Sequence, residues 1–146
     1  MITQARYLFD ECIGKPSMME LKSQIPAGPD FVHVCDHFDQ GTYDDIWIPS
    51  LEGGGWIVIS SDSGKGSRVG GKLPRLCVEH KITHIIISPK LHMRPAREKI
   101  GALLLVWDQV EKLDKEPPGT RFKLRWVESK GSASRRVALM KSAPQS

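Results

Sequence analysis

Apolar residues in this chain fall into short blocks separated by polar, glycine-rich or proline-rich stretches. Tyr7-Leu8-Phe9 is the first block, Phe31 to Cys35 the second, Trp56 to Ser60 the third and Ile82 to Ser88 the fourth. Blocks this short, rich in β-branched and aromatic residues and without polar alternation, predict strands buried on both faces. Between them, Ser17 to Ile25, Tyr43 to Leu51 and Leu73 to Lys81 carry helical traits, with Pro74 suited to a first helical turn. Strand and helix therefore alternate, which predicts one α/β domain with a mostly parallel sheet and helices on both faces.

The longest helix is predicted from about Pro95 to Lys115, where Ile100, Leu103, Leu104, Trp107, Val110 and Leu113 recur at three- and four-residue steps. Pro117-Pro118-Gly119 closes it. Phe122, Leu124 and Trp126 then alternate with Lys123, Arg125 and Val127, the pattern of an edge strand with one buried face. The domain is expected over residues 1–128, followed by a flexible basic tail over residues 129–146, where Ser, Ala, Gly and basic residues dominate.

Length and composition narrow the class. A chain of 146 residues with 40% hydrophobic and 26% charged residues fits one soluble globular core. No apolar run approaches the ~20 residues that span a bilayer, so no membrane role is expected. The start, Met1 to Glu11, has no charged leader followed by an apolar stretch, which predicts a cytoplasmic location. Cys12, Cys35 and Cys77 form no CxxC pair and are expected as small buried thiols.

Charge is unevenly placed. From Arg121 to Ser146 seven basic residues face one acid, a net of +6, so the first 120 residues carry −2 of the total +4. A basic segment suits a polyanionic partner, because neutralising phosphates releases counterions; a solvated tail accounts for it equally.

Ligands of open parallel sheets bind at the carboxyl ends of the strands, so acids at those ends converge from distant sequence positions. Asp10 and Glu11 end the first strand, Asp62 ends the third, and Asp44 and Asp45 open the helix that follows the second, where a carboxylate also caps free amides. Singly, each is a helix cap or turn former. Together, oxygen-only ligands of this kind select Mg²⁺ or Mn²⁺ over zinc or copper.

Tyr7-Leu8-Phe9-Asp10-Glu11, His33-Val34, His37-Phe38, Asp44-Asp45-Ile46-Trp47 and Gly55 to Asp62 together resemble the PIN-like branch that includes the VapC-type toxin ribonucleases. The resemblance covers roughly the first 110 residues. It implies a PIN fold, a divalent-metal endoribonuclease and often a toxin–antitoxin setting, with RNA as substrate and a cognate antitoxin as partner; a homodimer is one assembly left open by the sequence. Residue by residue it implies Asp10, Asp44 and Asp62 as catalytic and metal-binding acids, with Asp45 as the substitute for Asp44 in a shifted register and Glu11 as an additional ligand. One departure stands: where many PIN domains carry a fourth acid, Ser88-Pro89-Lys90-Leu91-His92 has none. A non-catalytic PIN-like module that binds RNA or protein is therefore the alternative.

Other signals are weaker. Gly66 to Lys72 has the spacing of a phosphate-binding P-loop, but Leu73 stands where the motif needs a metal-binding hydroxyl. Lys65, Arg68 and Lys72, with Arg75, fit better as contacts to an RNA backbone, or as a solvated loop. His33 and His37 flank a strand end and are read as core groups or as site contacts, while His80 and His84 are expected at the surface or at helix ends. Trp47, Trp56, Trp107 and Trp126 are read as packing. A receiver-like phosphoacceptor would need Ser or Thr and then Lys at two successive strand ends, whereas Ser88 and Lys90 share one.

Overall fold

The structure, a computed structural model, describes residues 5–26, 30–38, 44–61, 73–128 and 135–142, with the backbone alone at Asp44, Glu128, Arg135 and Arg136. Six strands form one sheet: β1 (Arg6–Phe9), β2 (Asp30–His33), β3 (Trp56–Ser61), β4 (Thr83–Ile87), β5 (Arg121–Glu128) and β6 (Arg135–Ser142). Their order is β2-β1-β3-β4-β5-β6. All neighbours are parallel except β5 and β6. The α/β class expected from the alternating blocks is the class observed.

The helices are α1 (Lys15–Gln24), α2 (Val34–His37), α3 (Asp44–Trp47), α4 (Leu73–Glu79), α5 (Pro89–His92), α6 (Ala96–Leu105) and α7 (Trp107–Val110). Side chains alternate across a strand, so each strand feeds two cores. Tyr7, Phe9, Ile57, Ile59, Ile85 and Ile87 form one with Met18 and Leu21 of α1, Leu103 of α6 and Trp107 of α7. Leu8 and Val58 form the other with Val34, Trp47, Ile48, Leu76 and Cys77. Polar interruption is rare in β1, β3 and β4 because both of their faces are covered.

Four local expectations are corrected. The second strand stops at His33, where α2 begins, and Cys35 is consequently exposed instead of buried. The long helix is broken: Val106, at φ −106° and ψ 7°, leaves helical geometry, and α7 and a 3-10 turn at Leu113–Lys115 follow. This rotation returns Trp107, Val110 and Leu113 to the core, while Leu105 points outward. His84, expected at the surface, lies in β4 with 1% exposure.

The fourth correction concerns the C-terminus. Where a flexible basic tail is expected, Arg135–Ser142 forms β6, paired residue by residue from Arg121↔Ser142 to Glu128↔Arg135. β5 is thus flanked on both sides and β6 is the edge. Val137 and Leu139 pack on the core and alternate with Ala138 and Met140, a period of two that the flanking basic residues conceal.

Candidate active site at the carboxyl edge of the sheet

The strand order reverses around β1: β2 lies on one side and β3 on the other. In open α/β sheets the ligand crevice opens outside the carboxyl ends of the strands at such a switch point. Asp10 is the first residue beyond β1. Its N–H donates to the Ile59 carbonyl at 3.0 Å and its carbonyl accepts from the Ile13 N–H at 2.9 Å, so the backbone is held from both sides. The side chain is half-buried.

Cys12 ties this turn to β3. Its thiol donates to Asp10 Oδ2 at 3.2 Å, and its sulfur accepts from the Ser61 N–H at 3.0 Å. Burial first, and then the Asp10 charge, push the Cys12 thiol up to about 12. Cys12 is therefore held as a thiol that donates to the carboxylate. Ser61 Oγ, at the same edge, is buried with no hydrogen-bond partner.

His33 secures the end of β2. Its Nδ1 accepts from the Cys35 N–H at 3.2 Å, which leaves Nε2 to donate to the Ile13 carbonyl at 2.7 Å. Both ring nitrogens are engaged and the residue is 4% exposed, so His33 clamps the turn after β1 onto β2. His37 is exposed and rests edge-on against Phe38.

Cys35 reports how the acids gather. Desolvation, then the charges of Glu11, Asp36 and Asp10, hold its thiol above the ordinary cysteine value, and Lys15 opposes them. Lys15 Nζ also donates to Asp36 Oδ1 at 2.9 Å across exposed surface. The structure thus brings Asp10, Glu11 and Asp36 to one edge. Asp36 was not singled out from the sequence; ending the second strand at His33 would have marked it as a strand-end acid of the same kind as Asp10.

Asp44 is the first residue of α3 and Asp45, the next, is exposed. Trp47, 1% exposed, anchors α3 in the second core. Asp62, Lys65, Arg68 and Lys72 lie outside the described residues, as does the whole P-loop-like stretch. Among the described residues no group of three or more His, Cys, Asp or Glu could hold a metal ion, a set that lacks the side chains of Asp44 and Asp62. Arg75 is exposed, 3.8 Å from Glu79. The end of β4 is Ser88-Pro89-Lys90, acid-free, with Leu91 in the core. β5 ends in Trp126-Val127-Glu128, without the lysine that a receiver-like pocket requires.

A cleft of about 300 Å³ lies at the opposite, amino edge, lined by Ala5, Trp56, Lys81, Thr83 and Glu116 among others. It is remote from Asp10, and the switch-point argument assigns the chemistry to the carboxyl edge instead.

The family model of a PIN-like domain matches residues 5–65. The PIN-like segment runs from the start of β1 past the end of β3, so it contains Asp10, Glu11, Asp44, Asp45 and Asp62. It stops before β4, β5 and β6. No curated protein and no solved structure matches the chain. No helix among the described residues is long and apolar enough to cross a membrane.

Proposed function

We propose that the chain is a divalent-metal-dependent endoribonuclease acting on single-stranded or looped RNA, with Asp10, Asp44 and Asp62 as the ligand set. The observation that carries this reading is the coincidence of the PIN-like match with the switch point: the matched segment contains all three acids and spans β1, β2 and β3, which meet at the edge where Asp10 is held. Carboxylate oxygens are the donors that Mg²⁺ or Mn²⁺ takes, and Asp10 offers one at the sheet edge. Glu11 and Asp45 are the additional acids within reach of a register change.

When bound, the metal supplies Lewis acidity and a water of lowered pKa. The chain supplies the rest. Cys12 donates to one oxygen of Asp10 and so orients the other. The His33 clamp keeps the turn against β2. Lys65, Arg68 and Lys72 are assigned to the RNA phosphates, where cations bind oxygens without reading sequence. A toxin role with a cognate antitoxin rests on the VapC resemblance alone.

The acid-free end of β4 favours one rival, a PIN-like module that binds RNA or protein without cutting. Cleavage of a structured RNA in Mg²⁺ or Mn²⁺ separates the two. Asp10→Asn should lower the rate by orders of magnitude while RNA affinity holds or rises, because the substitution keeps shape and removes a charge that repels phosphate. Millimolar Mn²⁺ should also raise the melting temperature of the wild type and not of Asp62→Asn. Purified wild type that cuts no RNA in either metal would leave the binding module as the better account.

A further inference from the structure

We infer that the open face of β5 and β6 is a docking strip for the sugar-phosphate backbone of single-stranded RNA, built on Arg121, Lys123 and Arg125. Phe122 and Leu124 are buried in the helix-covered core and Trp126 packs on it, so alternation turns the three cations to the other face together. On that face α4 packs beside β4, and the strip opens along its length: Arg121 and Lys123 are half-buried, Arg125 is exposed and Met140, paired opposite Lys123, is exposed. Four strand rises make the row roughly 13 Å long.

Several other surface cations are paired, as Arg6 is with Asp30, Arg94 with Glu98 and Lys141 with Glu116. Among the described side chains no carboxylate forms an ion pair with Arg121, Lys123 or Arg125. Arg121 Nε is buried without an acceptor, and its register partner His84, wholly buried, has an unpartnered Nδ1 and offers no compensating charge. Three uncompensated cations in a row are matched by an evenly charged chain, whose binding also releases counterions.

The strip has a direction. Leu124 is level with Ile87, and Ile87 with Ser61, so Arg125 stands at the carboxyl edge that carries Asp10. A backbone laid from Arg121 to Arg125 is led toward the acids. An acidic protein partner suits the strip less well, because a row of cations offers charge and not the buried aromatic anchors that dominate protein interfaces. The choice of RNA rests on the nuclease reading; the polyanion strip does not.

The test is fluorescence anisotropy of a labelled 20-nucleotide oligouridine in EDTA, with the full chain carrying Asp10→Asn so that nothing is cut. Lys123→Gln with Arg125→Gln should weaken binding by about tenfold at low salt and lower the salt slope by about 0.7 for each charge removed. Lys112→Gln with Lys115→Gln, the same charge loss in the segment after α7, should leave both values unchanged. Melting curves of the two double variants should match the parent. The strip is overturned if the first pair changes neither affinity nor slope, or if the second pair changes them equally. Displacement of the RNA by polyglutamate as effectively as by unlabelled oligouridine overturns the assignment to RNA. Wild type that binds through the strip yet cuts no RNA refutes the nuclease reading and leaves the strip standing.

Discussion

The two ends of the sheet treat polar groups in opposite ways. At the β1–β3 switch point the side chains that hold the turns are engaged: Asp10 by Cys12, Cys12 by Ser61, both nitrogens of His33 by backbone groups. At β5 the three cations of one face have no carboxylate partner among the described side chains. The first arrangement fixes positions, as chemistry on a scissile bond requires. The second keeps charge available, as capture of a long and sequence-indifferent polyanion requires. Placement and attraction are thus assigned to separate strands, and the PIN-like match covers only the first.

The sharpest way to break this division is to loosen the placing half alone. Trp47→Ala should cost about 3–5 kcal/mol, because a fully buried tryptophan leaves a cavity under α3. Urea unfolding measures the loss. In the surviving native fraction RNA affinity should be retained while cleavage falls, since α3 carries Asp44 and Asp45; affinity lost in step with cleavage would show the halves to be one unit.

A smaller effect comes from the strand that joins them. His84 is wholly buried and bonded to Ser60 Oγ at 2.6 Å, and burial followed by the Arg121 charge lowers its pKa from 6.5 to about 3. Between those values the unfolded chain takes up a proton that the folded chain refuses. Stability is therefore fully present above pH 6.5 and is lost as pH falls toward 3, by up to a few kcal/mol. His84→Asn should remove that contribution to the acid slope of a pH-resolved denaturation series. An unaltered slope would place the acid sensitivity in the carboxylates.

Smaller still is Arg6, which pairs with Asp30 at 2.9 Å and lies over the Trp56 ring at 4.0 Å. Both ion-pair partners are about half exposed, so Arg6→Ala should cost under about 1 kcal/mol. The finest test is additivity. Asp10→Asn and the Lys123→Gln, Arg125→Gln pair should combine in binding to within about 0.5 kcal/mol, as independent sites do. A larger coupling would mean that one RNA segment bridges both regions tightly.

Much of the placing half was legible from sequence, because strands covered on both faces leave unbroken apolar runs: Tyr7-Leu8-Phe9 and Trp56-Ile57-Val58-Ile59 each became a strand. Asp10 followed from the first of these. Asp36 did not, because Val34-Cys35 extends the apolar run past the true strand end, where only the His33 hydrogen bonds mark the turn into α2. His84 was misplaced because its partner Ser60 is supplied by a neighbouring strand. β6 was hidden for the converse reason: an edge strand buries one face, and basic residues fill both flanks of Val137 to Met140.

The antiparallel pairing of β5 with β6 also sets an order in time. Glu128 pairs with Arg135, a short closure, whereas β1 must find β3 across the stretch from Arg6 to Trp56. Local hairpins close in microseconds, and non-local parallel pairing is the slow step of such folds. During refolding, closure of the β5–β6 hairpin should therefore precede the pairing of β1 with β3. On the proposed reading, the hold on a polyanion would form first and the means of cutting afterwards.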